Sequence, residues 1–368
     1  MRFPEFKGEW HIETIGNSAP LQRGFDLPES QIKPGNVPVV YSNGILRHNN
    51  EGKVEGPGVI TGRSGTIGKF TFIESGKYWP HNTTLWVTDF VGNDPLFIYY
   101  VYQTISIEHF ASGSGVPTLN RNDVMAKQWS LPDIKEQSKI AKLLSLIDCR
   151  IELQRKTIKE LESFKAALSS KFISEADEKE SIASLIESGL LREVKPSELK
   201  PFSGNRIYLS TSCIDGKSII STEGSISYSF RPSRACMSPI KDSVWFAKMK
   251  NSVKVFRAQE GDSDRYVLSS GFTGLLSTTP LIDPNWLEMI FLSSEFNKQK
   301  NQMSEGGTMS GVKSGSFDEL YIPYYSSTTS EQSCLVAWDK AKAIVDVESR
   351  KLVGLMKLRE YCLTNLFA

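Results

Sequence analysis

Between Arg231 and Arg257 the chain carries seven cationic side chains, Arg231, Arg234, Lys241, Lys248, Lys250, Lys254 and Arg257, and a single acid, Asp242. Trp245, Phe246 and Phe256 interleave with them. Lysine and arginine projecting from loops around a strand suit contacts to phosphate oxygens. Arginine, or an asparagine such as Asn251, has the paired hydrogen-bonding groups that read base edges. This stretch supplies the candidate nucleic-acid contacts Arg231, Arg234, Lys248, Lys250, Asn251 and Lys254. The competing reading is a strand edge that its lysines protect from pairing.

A second candidate lies in the segment GRSGTIGKF at 62–70. Its glycines let a backbone approach a ligand closely, and Arg63, Ser64, Thr66 and Lys69 supply donors. The neighbouring polar runs SNGILRHNN (42–50) and KYWPHNTT (77–84) add Arg47 and Asn82. The same glycines also fit a tight hairpin that needs them only for positive φ.

Catalytic chemistry finds no support. A phosphate-binding loop at DGKS (215–218) would require glycine where Thr211 stands. The glycine spacing of 62–68 is not that of a dinucleotide fingerprint, and NDPL (93–96) and DPNW (283–286) are not methyltransferase tetrapeptides. His11, His48, His81 and His109 lack ligand spacing, and Cys149, Cys213, Cys236, Cys334 and Cys362 form neither a zinc ribbon nor a disulfide framework. The expectation is a binding protein, not an enzyme, with no catalytic residues, metal site or cofactor of its own.

The chain has 368 residues, a net charge of +1 and 23% charged residues, which places it in the ordinary globular class. That near-neutral average hides a local +6 between Arg231 and Arg257 and a balance of 11 basic to 13 acidic residues over 1–133. With no apolar signal core at MRFPEFKGEW and no membrane-length apolar run, a cytoplasmic location and no membrane partner are expected.

Two long, proline-free segments must frame these candidates, one after Pro132 and one from about Ser330 to the C-terminus. In the first, Ile140, Leu144, Ile147, Ile151, Gln154, Ile158, Leu161, Lys165, Leu168 and Phe172 fall on one heptad seam. Adding 194 to each number gives Cys334, Trp338, Ala341, Val345, Glu348, Leu352, Leu355, Arg359, Cys362 and Leu366. Both polar breaks recur, Gln154 with Glu348 and Lys165 with Arg359. An internal duplication follows: residues 1–131 form one domain, 132–175 a long helix, 176–328 a second domain and 329–368 a second helix. Short β-branched and aromatic runs (VPVVYSNGI, GVITG, TTLWVTDFV, NRIYLSTSCI, DSVWFAKM, RYVLSSGFTGLLST) predict strands in both domains. DPLFIYYVYQTI and NWLEMIFLSSEFNKQK predict one helix each, so the fold class is α+β.

This layout resembles the specificity (S) subunit of Type I restriction-modification systems. The resemblance rests on GSGVPTLNRNDV, LP and EQSKIAKLLSLID in the first half. In the second it rests on GGTMSGVKSGSFDEL, IP and EQSCLVAWDKA, and it adds the opening FPEFKGEW. It equates Glu136-Gln137 with Glu331-Gln332. It implies two target-recognition domains, each reading one half of a bipartite site in double-stranded DNA, and two helices that form an antiparallel coiled-coil spacer. It also implies two methyltransferase (modification) subunits using S-adenosylmethionine, and two restriction subunits using ATP and Mg. Two alternatives stay open: a related system whose partner fuses methylase and nuclease, and a coiled-coil scaffold without a DNA role.

Overall fold

The computed structural model describes residues 2–112, 117–303, 312 and 317–367. Residues 113–116 of the first glycine-rich run and all of 306–311 lie outside the described residues. The chain divides into two compact units: Met1–Lys156 together with Ser349–Ala368, and Thr157–Glu348.

Unit 1 opens with strand His11–Thr14, which pairs antiparallel with Gln128–Leu131. The chain therefore enters and leaves this domain side by side. Asp133 follows Pro132 and accepts from the N–H groups of Lys135 and Glu136, capping the long helix Ile134–Glu175. Between the paired ends lie two four-stranded sheets. One runs in the order Leu21–Arg23, Thr84–Val87, Gly58–Gly62, Phe70–Ile73. The other runs Gly44–Asn49, Val37–Tyr41, Lys77–Pro80, Val54–Glu55, with a parallel pair at its centre. Helix Pro95–Gln103 buries Phe97, Ile98, Val101 and Tyr102 in a core with Val59, Leu85 and Val87.

Unit 2 repeats the plan. Strand Glu178–Ser181 pairs antiparallel with Tyr321–Tyr324. One sheet runs Leu191–Val194, Phe272–Ser277, Val244–Ala247, Val255–Arg257. The other runs Ser225–Ile226, Arg206–Leu209, Tyr266–Ser269, Ala235–Met237, again with a central parallel pair. Helix Pro284–Leu292 buries Trp286, Leu287, Ile290 and Phe291.

The NDPL and DPNW tetrapeptides are the same device used twice. Asp94 accepts from the N–H groups of Leu96 and Phe97, and Asp283 from that of Asn285. Each is followed by proline at the first helical position, where its missing N–H costs nothing. The single helix expected over NWLEMIFLSSEFNKQK is two, Pro284–Leu292 and Ser294–Met303. Ser293 breaks it in an extended conformation, and its hydroxyl accepts from Phe296 N–H to start the second piece.

The second long helix spans Thr328–Leu366. Each unit combines the start of one long helix with the end of the other, 134–156 with 349–366 and 157–175 with 328–348, the pairing of antiparallel helices. Ile140, Leu144, Ile147, Ile151, Trp338 and Val345 are buried, while Ile158, Leu161, Leu352 and Leu355 are half-buried. Off this seam Leu146, Leu153, Phe164, Ile344, Val353 and Met356 are exposed.

The 194-residue offset that aligns the seams also corrects the register of the helix starts. It equates Gln137 with Glu331, one step away from the Glu-Gln to Glu-Gln match. The contacts follow the seam: Gln137 Oε1 accepts from Asp94 N–H and Glu331 Oε1 from Asp283 N–H. Glu136 has a separate role, buried and accepting from Arg2 through Nε and Nη2.

Candidate nucleic-acid interface

In unit 1, Gly58–Gly62 and Phe70–Ile73 form an antiparallel hairpin whose loop is the seven residues 63–69. A Cβ on Gly62 would lie 1.8 Å from the Thr66 carbonyl oxygen, so this turn admits only glycine. Gly65 and Gly68 sit at φ +81° and +85°, where an L side chain would be strained. The N–H groups of Arg63 and Ser64 both donate to Thr83 O, and Leu119 N–H donates to Arg63 O. Lys69 closes the loop: its ammonium donates to Asn43 O at 2.6 Å, in the turn that follows strand Val37–Tyr41.

The loop thereby brings Arg63, Ser64, Thr66 and Lys69 beside the turn of Asn82. Asn82 donates to Asp26 and accepts from Arg23 Nε through its main-chain oxygen. His81, in the same turn, stacks on Tyr41 at 4.4 Å, and burial pushes its imidazole pKa down, favouring the neutral form. Arg47 stands on the strand after the Asn43 turn, exposed and paired with Glu29 at 2.6 Å.

In unit 2 the corresponding hairpin, Val244–Ala247 with Val255–Arg257, carries the seven residues 248–254. Lys254 closes this loop as Lys69 closes the other, donating to Thr211 O at 2.7 Å, in the segment after strand Arg206–Leu209. Two segments singled out for different reasons, one glycine-rich and one basic, thus occupy one place in the duplicated fold. Each is seven residues long and ends in a lysine tied to a main-chain carbonyl.

The unit 2 loop is held without glycine. Asn251, at φ +55°, donates its N–H to Asn301 Oδ1, and Asn301 Nδ2 donates back to Asn251 Oδ1. Lys300, 1% exposed, donates to Ala247 O and Ser252 O beneath the loop, and burial pushes its pKa down to about 8. Met249, Lys250, Asn251 and Val253 are left exposed. Lys248 is half-buried, and the loss of solvent lowers its pKa.

Arg231 stacks on Tyr228 at 3.9 Å, and Arg234 is exposed. The remaining cations of the window turn to acids, Lys241 to Glu260 and Arg257 to the buried Glu288. The local +6 is therefore not all presented to a ligand. Nothing local in the sequence marks Thr211, Lys300 or Asn301 as a support of the second loop, since each lies about 40 to 50 residues from its partner there.

Among the described residues no group of three or more His, Cys, Asp or Glu could hold a metal ion, and no helix is long and apolar enough to cross a membrane.

Residues 8–163 match the family described as the Type I restriction modification DNA specificity domain. Two solved structures are similar over nearly the whole of both chains. An S subunit of a Type I restriction-modification system from M. genitalium has a TM-score of 0.60 and 16% identity, covering 100% of this chain and 99% of its own. A chain from work on complex assembly and conformational transition of the type I R-M system has a TM-score of 0.58 and 12% identity, covering 99% and 98%. At such identities the likeness is one of fold. No curated protein matches the chain.

Proposed function

We propose, for a chain whose residues 8–163 match the Type I restriction modification DNA specificity domain, that each unit reads one half of a split site in double-stranded DNA. The observation that carries this reading is the pair of equivalent seven-residue loops, each closed by a lysine on a main-chain carbonyl and bearing different side chains. Rigid loops on a sheet are suited to present donors to base edges and phosphates. Different side chains at one position in a duplicated fold give different letters in the two half-sites. Arg63, Ser64, Thr66, Lys69, Asn82 and Arg47 serve the first half-site. Arg231, Arg234, Lys248, Lys250, Asn251 and Lys254 serve the second.

The long helices, of 42 and 39 residues, act as the spacer. At about 1.5 Å per residue each measures roughly 60 Å, on the order of 17 base pairs at about 3.4 Å. An internal duplication puts two readers in one chain, as a symmetric dimer puts two on a palindrome. The chain itself is non-catalytic and cytoplasmic. Chemistry comes from two modification subunits that use S-adenosylmethionine and two restriction subunits that use ATP and Mg.

Methylome sequencing of a host with and without this gene and its modification partner tests the reading. A new split adenine-methylation motif is the expected result. Absence of any new motif, with both subunits expressed, overturns it.

A further inference from the structure

Phe230 is 90% exposed, in the turn between strands Ser225–Ile226 and Ala235–Met237. Solvent exposure of a whole phenyl ring forgoes the free energy of burying it, so a turn that holds it outward calls for a physical cause.

Residues on both sides of it are anchored. The Arg231 guanidinium lies over the Tyr228 ring at 3.9 Å and donates to Tyr228 O at 2.6 Å. Tyr228 meets Phe202 edge-on at 5.5 Å, and Arg206 lies over the other aromatic of that pair, Phe202, at 4.2 Å. Downstream, Ala235 N–H donates to Pro232 O. This ladder of cations and rings fixes both sides of the turn and leaves its apex outward.

The turn also shares a support with the unit 2 loop. Ser270 N–H donates to Arg234 O, and Gly271 O accepts from Lys248 N–H. Two adjacent residues thus hold the Phe230 turn and the start of the 248–254 loop side by side. The Cys236 thiol feels the charges of both Arg231 and Lys248, as this placement requires. In unit 1 the equivalent connection, 50–53, reads NEGK and has no aromatic residue.

We propose that Phe230 is a wedge that enters duplex DNA at a base step bordering the half-site read by loop 248–254. This rests on the DNA-reading function proposed above. Apolar side chains flanked by arginine unstack base steps while the cations neutralise adjacent phosphates, and pyrimidine–purine steps yield most easily. The second half-site alone is then distorted, and its bordering step contributes to specificity without a hydrogen bond to any base edge.

The test uses the full chain in complex with its modification subunits. Its probes are duplexes carrying the methylated motif, with 2-aminopurine placed in turn along the second half-site. The wild-type complex should raise 2-aminopurine fluorescence at one bordering step. Phe230→Ala should abolish that rise and weaken binding about tenfold, while the slope of log affinity against log salt stays unchanged because no phosphate contact is lost. Phe230→Trp should retain both signals. Equal affinity and fluorescence for wild type and Phe230→Ala overturn the wedge. So does a Phe230→Ala defect confined to assembly with the modification subunits, which would give the ring a protein partner. If the wild-type complex shows no salt-dependent, site-selective duplex binding, the DNA-reading function falls first and the wedge with it.

Discussion

Gln137 and Glu331 accept the same hydrogen bond in the two halves of the chain, each from the main-chain N–H of the aspartate that caps the helix of the preceding domain, Asp94 at 2.9 Å and Asp283 at 3.1 Å. The amide of Gln137 also donates to Asn93 Oδ1 and Pro132 O. Glu331 has no such donor when ionised. Buried at 1% exposure, the Glu331 carboxyl is pushed up to about 7, first by loss of solvent and then by the charge of Asp283.

The sign of the pH effect follows. The folded-state value lies above the unfolded value, so the folded protein binds the extra proton. The Glu331 contribution is then most favourable below the ordinary glutamate range, declines as pH rises toward 7 and is flat beyond. The loss is no more than about 3.5 kcal/mol, at about 1.4 kcal/mol per pKa unit. Glu331→Gln should raise Tm at pH 8, leave it nearly unchanged at pH 4 and flatten the profile between. Thermal unfolding at pH 4, at pH 8 and between them checks this, and an unaltered profile in the variant would rule it out.

The loop lysines divide into two kinds with separable effects. Lys250 is exposed, so Lys250→Ala should weaken binding at every sequence and reduce the salt slope by about one. Lys69, Lys254 and Lys300 donate to main-chain carbonyls. Lys254→Met or Lys300→Met should relax discrimination at the second half-site and spare the first, and Lys69→Met should do the reverse. Competition binding with singly substituted sites distinguishes the outcomes, and equal loss at both half-sites would contradict the assignment of one loop to each.

Arg359, one of the polar breaks in the seam, pairs with Asp148, which also accepts from Tyr100 Oη at 2.9 Å. The arginine donates to Gln103 Oε1 as well. The position equivalent to Asp148 in unit 2 is Lys342, whose partner is Glu288 of the domain helix. Asp148→Ala therefore strands a half-buried cation. It should cost roughly 1–2 kcal/mol, less than for a fully buried pair because both side chains keep some solvent. Chemical denaturation reads the change, and a double-mutant cycle with Arg359→Leu should show strong coupling.

Inserting one heptad into each long helix preserves the seam and adds about 10 Å. The tolerated gap between half-sites should lengthen while the letters on either side stay the same. Methylome sequencing of the insertion variant reports both, and altered half-site letters would contradict the spacer role.

The heptad spacing made the helices legible because one face of each must be shielded along its whole length, and Ile140, Leu144, Trp338 and Val345 show that face directly. The Glu-Gln match at the helix starts misled by one residue because glutamate and glutamine are near-isosteric and adjacent. Only the hydrogen bond to the capping aspartate reveals which of them is equivalent. The Asp-Pro caps were visible as dipeptides, but their meaning required two helices to align. Ser293 broke a helix without glycine or proline because its hydroxyl satisfies the next turn. The loop candidates stood out by composition. What holds them did not, since Lys300 lies about 50 residues from the loop it supports and carries no local mark of that role.

The strand pairs His11–Thr14 with Gln128–Leu131 and Glu178–Ser181 with Tyr321–Tyr324 bring the two ends of each domain to adjacent positions at a helix start or end. Such a doorway makes the domain a cassette. If each domain reads a half-site as proposed above, recombination at sequences encoding the two gateposts would exchange an entire reader and leave the helical frame, and with it the spacing, intact. Under that reading a lineage carrying this frame would acquire a new half-site in one genetic event, with no misfolded intermediate on the way.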